Sequence, residues 1–179
     1  ASLLARRRSR LVGVVLDVTS PYHGELAARL DEEAADRGLE LVLVTTTARR
    51  SEAEALETVR DSRCEAVVLL GPGLSAERLA DLDAACPVVA LGRDLGAGRG
   101  DSVLVDDRAV MELAVAHLAE RGHHRLAHVD GGRGLISAAR RRAFRAAVRA
   151  RPSLGGEVLV GGTTEEAGMA AGVELAARP

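Results

Sequence analysis

Short runs of valine and leucine alternate along the chain with longer amphipathic stretches. Each run is too short for a helix and too uniformly apolar for a strand with one wet face, so it predicts a buried parallel strand. The predicted strands span residues 11–17, 39–46, 66–71, 88–92, 102–106, 125–130 and 157–161.

The amphipathic stretches begin with residues that favour helix starts. Ser20 precedes a proline, which is the arrangement of an N-cap with proline in the first turn. The spacings of Ser51 to Glu54 and of Thr163 to Glu166 fit capping boxes. The predicted helices cover about residues 20–38, 51–63, 75–84, 107–121, 135–150 and 164–177.

Strict alternation of strands and helices predicts an α/β fold built on an open, doubly wound parallel sheet. The crossovers are right-handed and the helices cover both faces. The 179 residues can bury one good core. With 47% hydrophobic and 28% charged residues, the composition is that of an ordinary soluble globular protein and excludes a disordered chain.

The net charge limits the binding partners of the protein, and the cysteine content indicates its cellular compartment. The formal net charge of −2 gives no global attraction to nucleic acid or anionic lipid, so any such contact is local, as at the arginine run that begins with Arg6. No apolar stretch is long enough for a membrane span, and no export signal opens the sequence. Cys64 and Cys86 lack metal-site spacing and indicate reduced thiols. A cytoplasmic protein without membrane contact is therefore predicted.

In a doubly wound sheet, ligands bind outside the carboxyl ends of the strands, where the strand order reverses. Tyr22 is the single tyrosine and follows the first predicted strand, so its ring could stack on a sugar or a base. The alternative is that Tyr22 caps the sheet or fills a gap between helix and strand. The strand ends fall at residues 17–23, 45–47, 71–73, 93–94, 106–107 and 130–136.

Two charged groups near the later strand ends are further candidates. The arginines at positions 140–142 would point in three directions from a helix, so at most one or two of them can face a cleft. Asp106 and Asp107 could perform acid–base chemistry, but a ligand hydrogen bond or a helix N-cap is the better interpretation, because no reacting partner lies beside them.

The residues that most enzymes and cofactor sites need are missing. Gly71-Pro72-Gly73 lacks the third glycine of a dinucleotide-binding fingerprint, and no phosphate-binding loop is present. The sequence contains no lysine, which excludes Schiff-base chemistry. We therefore expect no enzyme, no cofactor and no metal, with a small α/β enzyme of unrelated chemistry as an alternative. The spacing of the histidines does not suit metal ligands; they are His23, His117, His123, His124 and His128.

Six segments together resemble the LacI/GalR family of transcription regulators. The most specific is His117-Leu-Ala-Glu-Arg-Gly-His-His-Arg125, and the same order and spacing holds over nearly the whole sequence. The resembling segments are residues 10–17, 20–22, 64–71, 86–93, 103–107 and 117–125.

The resemblance implies a two-lobed core like that of class I periplasmic binding proteins. Such a core closes on a small effector, often a sugar or nucleobase, forms a homodimer and relays closure to a DNA-binding head. Residues 1–10 then correspond to a hinge-helix remnant, 11–130 to a first lobe that is complete or nearly so, and 131–179 to the start of an incomplete second lobe.

The resemblance also assigns residue roles. Arg140 matches the arginine that holds ligand hydroxyl or carboxylate groups, work that suits a guanidinium because its donors are fixed and stay protonated. Ala143-Phe144 replaces the family's usual glycine–aromatic pair, which is a mild departure. The matching effector positions are Tyr22, Arg93, Asp106, Gly134, Ile136 and Arg140.

Both ends of the sequence carry further expectations. Leu4 matches the hinge leucine that wedges into the minor groove, with Arg6 as a second DNA contact, although a disordered tail is the favoured alternative for this segment. Operator binding would need a helix-turn-helix that the sequence lacks. An incomplete second lobe predicts weak effector affinity and self-association. The competing assignment is the sugar-binding protein of an ABC transporter, against which the hinge-like residues 1–10 argue.

Overall fold

The computed structural model describes residues 9–178, which form two compact units. The first unit ends at Leu104 and the second begins at Val105. The described residues contain seven strands and six helices, as the apolar pattern predicts, and these alternate except that the fifth strand follows the fourth without a helix between them. No helix among them is both long and apolar enough to cross a membrane. Leu4 and Arg6 lie outside the described residues.

The first unit is a five-stranded, fully parallel sheet in the order β2-β1-β3-β4-β5. The order reverses between β1 and β3, so the predicted ligand crevice lies at the carboxyl ends of these two strands. The elements are β1 (Leu11–Asp17), α1 (Pro21–Asp36), β2 (Glu40–Thr46), α2 (Glu52–Asp61), β3 (Ala66–Leu70), α3 (Ala76–Ala85), β4 (Val88–Leu91) and β5 (Asp101–Val103).

Both faces of this sheet are covered, which confirms the doubly wound arrangement. Side chains of successive strand residues point to opposite faces. Val15 therefore packs into one buried cluster with residues of α2 and α3, and Val14 into another that leucines of α1 join. Val14 and Leu69 are fully buried. This double-sided burial explains why the strands are uniformly apolar in sequence.

The second unit contains a parallel pair of strands and three helices. Val115, Leu126 and Phe144 form the centre of its buried cluster. Its elements are α4 (Asp107–Glu120), β6 (Arg125–Asp130), α5 (Leu135–Arg149), β7 (Gly155–Val160) and α6 (Glu165–Ala176).

The division between the units differs from the expected lobe boundary after residue 130. Residues 105–130 belong to the second unit. The physical reason is strand pairing, since β6 pairs along its whole length with β7 and packs under Phe144 of α5 and Val115 of α4. β5 is also shorter than predicted, because Asp106 serves as the N-cap of α4 and is not part of a strand.

Two of the three predicted N-cap arrangements are confirmed. The Ser20 side chain accepts a hydrogen bond from the His23 backbone N–H, and Ser51 and Glu54 form a reciprocal capping box. The third is displaced by one residue. Thr164, not Thr163, caps α6, because Thr164 has the extended backbone of an N-cap and its side chain accepts from Ala167.

Candidate functional site

A polar cavity of about 310 Å³ lies at the carboxyl ends of β1, β2 and β3 in the first unit. It occupies the reversal of strand order, where ligands bind in folds of this kind. A second cavity, of about 400 Å³, lies between α2 and α3 and has a mainly apolar lining. The smaller cavity is the better candidate for a ligand site, because it lies at the reversal of strand order and its walls carry polar groups that can bind a ligand. Its lining residues are Val15, Leu16, Asp17, His23, Thr46, Thr47, Arg50, Ser51, Glu52, Leu70 and Gly71.

His23 presents a neutral ring to this cavity. Its Nδ1 accepts a hydrogen bond from the Asp17 backbone N–H at 3.1 Å, so the proton of the neutral ring is on Nε2. Burial lowers the pKa of His23, and the negative charge of Asp17 opposes this shift only partly. The ring edge faces Gly71, where a Cβ would lie 3.6 Å from Nε2. His23 therefore offers one oriented donor near the end of β3.

Glu52 is a half-buried carboxyl group at the start of α2. Its Oε2 accepts a hydrogen bond from the Gly73 backbone N–H at 3.0 Å. Burial raises the pKa of Glu52, while hydrogen bonds from Gly73 and Leu74 and the positive charge of Arg93 lower it, and burial dominates. The structure therefore places Arg93 within electrostatic reach of this carboxyl group.

Arg50 adds a fixed cation to the cavity wall. Thr47 and Arg50 exchange two backbone hydrogen bonds, of 3.0 and 3.2 Å, which close a tight turn after β2. The Nη2 atom of Arg50 donates to Thr58 Oγ1 at 2.5 Å, so α2 fixes the direction of the guanidinium. Arg49 beside it is exposed. Of the two adjacent arginines, the structure selects Arg50 as the cavity residue.

Tyr22 lies on α1 next to the cavity residue His23. Its side chain is 63% exposed, and its ring centre lies 6.3 Å from that of His23. A residue this exposed does not fill a gap between helix and strand. Its flat ring is available to stack on a ligand.

The predicted residues of the second unit have several local partners. Asp106 caps α4 by accepting from the Ala109 backbone N–H at 2.9 Å. The Nε atom of Arg140 donates to Asp107 Oδ1 at 2.9 Å. Gly134 precedes α5 in an extended conformation, and Ile136 is partly buried in the first turn of that helix. The two adjacent aspartates thus have different roles: Asp106 is the N-cap of α4, and Asp107 orients Arg140.

Sequence reasoning did not identify a buried ion pair that supports the same region. Asp130 ends β6 and is 2% exposed; one carboxylate oxygen accepts from the Gly132 backbone N–H at 2.8 Å and the other pairs with Arg141. Burial alone would raise the pKa of Asp130, but these two partners hold it below its ordinary value. The pair therefore fixes the turn that leads to Gly134 and Arg140.

Protonation of two histidines should reduce stability in mildly acidic solution. Burial lowers the pKa values of His23 and His128 below the ordinary 6.5, with charge interactions as lesser causes. In the window between each lowered pKa and 6.5 the unfolded chain binds more protons. Stability is thus complete above this window and is lost as the pH falls through it. We expect a lower urea midpoint at about pH 5.5 than at about pH 7.5.

A matched set of variants tests this assignment. Combining His23→Gln with His128→Gln should flatten the pH dependence, whereas His117→Gln, at an exposed position of α4, should not. An equally steep dependence in the double variant would show that other groups control it.

Comparison with known proteins places nearly all of the described region in one family. The family described as periplasmic binding proteins and sugar binding domain of LacI family matches residues 9–171. The HTH-type transcriptional regulator PtxS of Pseudomonas aeruginosa is 31% identical over 163 residues, which cover 87% of this chain and 47% of the regulator. The chain spans about half the length of the curated relatives it matches.

Solved structures agree with this family match. A LacI transcriptional regulator from a Rhodococcus species is 35% identical, with a TM-score of 0.83 over 94% of this chain and 63% of its own. The Cra transcriptional dual regulator of Pseudomonas putida, in complex with fructose 1-phosphate, is 26% identical with a TM-score of 0.78, over 93% and 63% of the two chains. The family match extends from residue 9 to 171, and the strand order and the cavity agree with it. This chain therefore belongs to the family of periplasmic binding proteins and sugar-binding domains of LacI type.

Proposed function

We propose that this chain is the effector-binding and dimerisation core of a LacI-type transcription regulator, a repressor that responds to a small sugar-like metabolite. The observation that carries the proposal is the polar cavity at the reversal between β1 and β3. Its walls mix donors, such as Arg50 and His23, with acceptors, such as Asp17 and Glu52. A sugar hydroxyl both donates and accepts hydrogen bonds, so a mixed wall suits a polyhydroxylated ligand.

Further effector contacts come from the positions that the family resemblance selects. The exposed ring of Tyr22 stacks on the apolar face of a sugar, and Arg93 donates to a hydroxyl group. Arg140 donates through its remaining N–H groups while Asp107 holds its Nε atom, which reduces the entropy lost on binding. The remaining proposed contacts are Asp106, Gly134 and Ile136.

Effector binding acts as a signal only if the effector prefers one conformation of the regulator. Asp17, Thr46 and Gly71 lie at the carboxyl ends of three neighbouring strands of the first unit and line the polar cavity. A ligand that contacts all three selects the conformation in which these strand ends hold it. The difference in the free energy of effector binding between the two conformations is the free energy available for changing the affinity for DNA.

The assembly and location follow from the regulator assignment. The complete regulator acts in the cytoplasm as a homodimer and binds operator DNA through a helix-turn-helix that precedes the effector-binding core. Curated relatives are named as HTH-type transcriptional regulators, the HTH being a helix-turn-helix. Those names support a regulator over the sugar-binding protein of an ABC transporter, which has the same fold.

Replacing Arg50 should weaken effector binding far more than replacing Arg49. Arg50 lines the cavity and is held by Thr58, whereas Arg49 is exposed, so both variants lose the same charge but only one loses a ligand contact. Loss of a charged hydrogen bond should raise the dissociation constant at least about tenfold in Arg50→Ala. Calorimetric titration with glucose, fructose 1-phosphate and D-xylulose measures the effect, and circular dichroism checks the fold.

The same design applies to the second unit. Arg140→Ala should reduce affinity, and Arg142→Ala, at an exposed position two residues further along α5, should leave it unchanged. Wild-type affinity in both Arg50→Ala and His23→Gln would show that the effector binds elsewhere.

A further inference from the structure

The cavity between α2 and α3 contains both cysteines of the sequence. It lies in the first unit and has a volume of about 400 Å³. Cys64 and Cys86 are free thiols, each partly exposed, and both pack against the same buried cluster of the sheet. They are separated in sequence by β3 and α3. The fold thus brings together two nucleophilic groups that the proposed effector site does not use.

The strand register brings the backbones of the two cysteines within reach of each other. Cys64 precedes β3 and Cys86 precedes β4, which are adjacent and parallel with Val67 opposite Val88. The Val67 N–H donates to Pro87 O at 2.9 Å, so the ladder extends back to the residue after Cys86.

Extending this register back by two or three residues puts Cys64 and Cys86 about one residue out of step on neighbouring strands about 4.8 Å apart. That offset is compatible with the Cα separation of roughly 4.4–6.8 Å that disulfides occupy. The two thiols also interact electrostatically, since a charge on Cys86 raises the pKa of Cys64.

We propose that Cys64 and Cys86 form a reversible intramolecular disulfide, which makes this cavity an oxidation site of the protein. Hydrogen peroxide is the oxidant. The thiolate of one cysteine attacks a peroxide oxygen, which breaks the O–O bond and gives a sulfenic acid and water. The second thiol attacks the sulfenic sulfur, and the hydroxyl leaves as a second water. Two thiols and one peroxide therefore give one disulfide and two waters.

The surroundings of the thiols determine the speed of these steps. Burial raises the pKa of both cysteines, and the negative charge of Asp83 raises that of Cys86 further. The thiolate is the reactive form, so the cysteine that ionises attacks the peroxide and the other attacks the sulfenic sulfur. Both groups are protonated in most molecules at neutral pH, so the dithiol persists until the peroxide concentration rises. The bond would join the amino ends of β3 and β4, at the sheet edge opposite the polar cavity.

The test compares the purified chain before and after peroxide. Arg78 lies between the cysteines, so trypsin releases them on separate peptides, residues 64–78 and 79–93. We expect an intact mass lower by two hydrogen atoms, loss of both maleimide-reactive thiols and a cross-linked peptide pair that dithiothreitol separates. The disulfide closes a loop between Cys64 and Cys86, which restricts the unfolded chain, so it should also raise the thermal midpoint of unfolding.

The single variants Cys64→Ser and Cys86→Ser are the matched controls. Each keeps one thiol in the same cavity, so peroxide should give neither the cross-linked peptide nor the raised midpoint. Disulfide-linked dimers of the wild-type chain, or oxygen adducts on either cysteine without the cross-link, would overturn the proposal. These outcomes are independent of effector binding, so they separate this proposal from the proposed function.

Discussion

Replacing Asp130 with alanine should lower the free energy of unfolding by about 3–5 kcal/mol, because it leaves the partner of a buried ion pair without its counter-charge. The Asp130 side chain is completely buried, and that of Arg141 is 28% exposed. The variant also removes the acceptor of the Gly132 backbone N–H. Urea unfolding followed by circular dichroism measures the loss.

A surface ion pair is the matched control for Asp130. Glu33 and Arg37 on α1 form an exposed pair four residues apart, so Glu33→Ala should cost less than about 1 kcal/mol. Asp130→Asn separates the two contributions, since an amide can still accept from Gly132 but carries no charge. If Asp130→Ala cost no more than Glu33→Ala, the buried pair would not stabilise the second unit.

The elements were predictable from sequence because burial on two faces leaves a simple pattern. The bounds of β1 and β6 agree with the sequence prediction residue for residue. Which sheet a strand joins was not predictable. β6 has the same apolar pattern whether it pairs with β7 or with a strand of the first unit, and only the long-range pairing decides the division after Leu104.

The candidate site was predictable in position but not in full composition. The strand-end rule located the edge of the sheet and selected Tyr22 and Arg93. It missed Arg50 and Glu52, because both lie beyond the end of β2. Arg50 lies in the turn after β2, where a hydrogen bond to Thr58 sets the direction of its side chain. Glu52 lies at the start of α2, where a hydrogen bond from Gly73 does the same. Extending the rule to the first turn of the following helix would have included both.

The adjacent arginines show the same limit of sequence reasoning. The helical pattern predicted that positions 140–142 point in different directions. In the structure Arg140 pairs with Asp107, Arg141 pairs with Asp130, and Arg142 is exposed. Spacing alone could not assign these partners, because both aspartates lie on other elements.

Adding one methyl group at Gly13 should destabilise the first unit and weaken the effector site together. Gly13 lies on β1 between β2 and β3, so its backbone cannot shift sideways. A Cβ there would overlap the side chain of Val59, which is 2% exposed on α2. Relief requires α2 to move away from the sheet, at about 3 kcal/mol in Gly13→Ala. Because α2 begins at Glu52, that movement also displaces a wall of the polar cavity.

The test of this coupling is a double-mutant cycle with Val59→Ala, followed by urea unfolding and by calorimetric titration of the effector. Val59→Ala alone removes buried methyl groups and should cost roughly 2 kcal/mol, but it also makes room for the new methyl at position 13. The double variant should therefore be more stable than the sum of the single losses predicts, and should recover part of the affinity lost in Gly13→Ala. Gly24→Ala on α1 is the control, because apart from its chain neighbours and the backbone of its own helix no atom lies within 4 Å of its Cβ position, and alanine favours a helix. Strict additivity in the cycle, or a loss at Gly13 no larger than at Gly24, would show that α2 does not depend on this close approach.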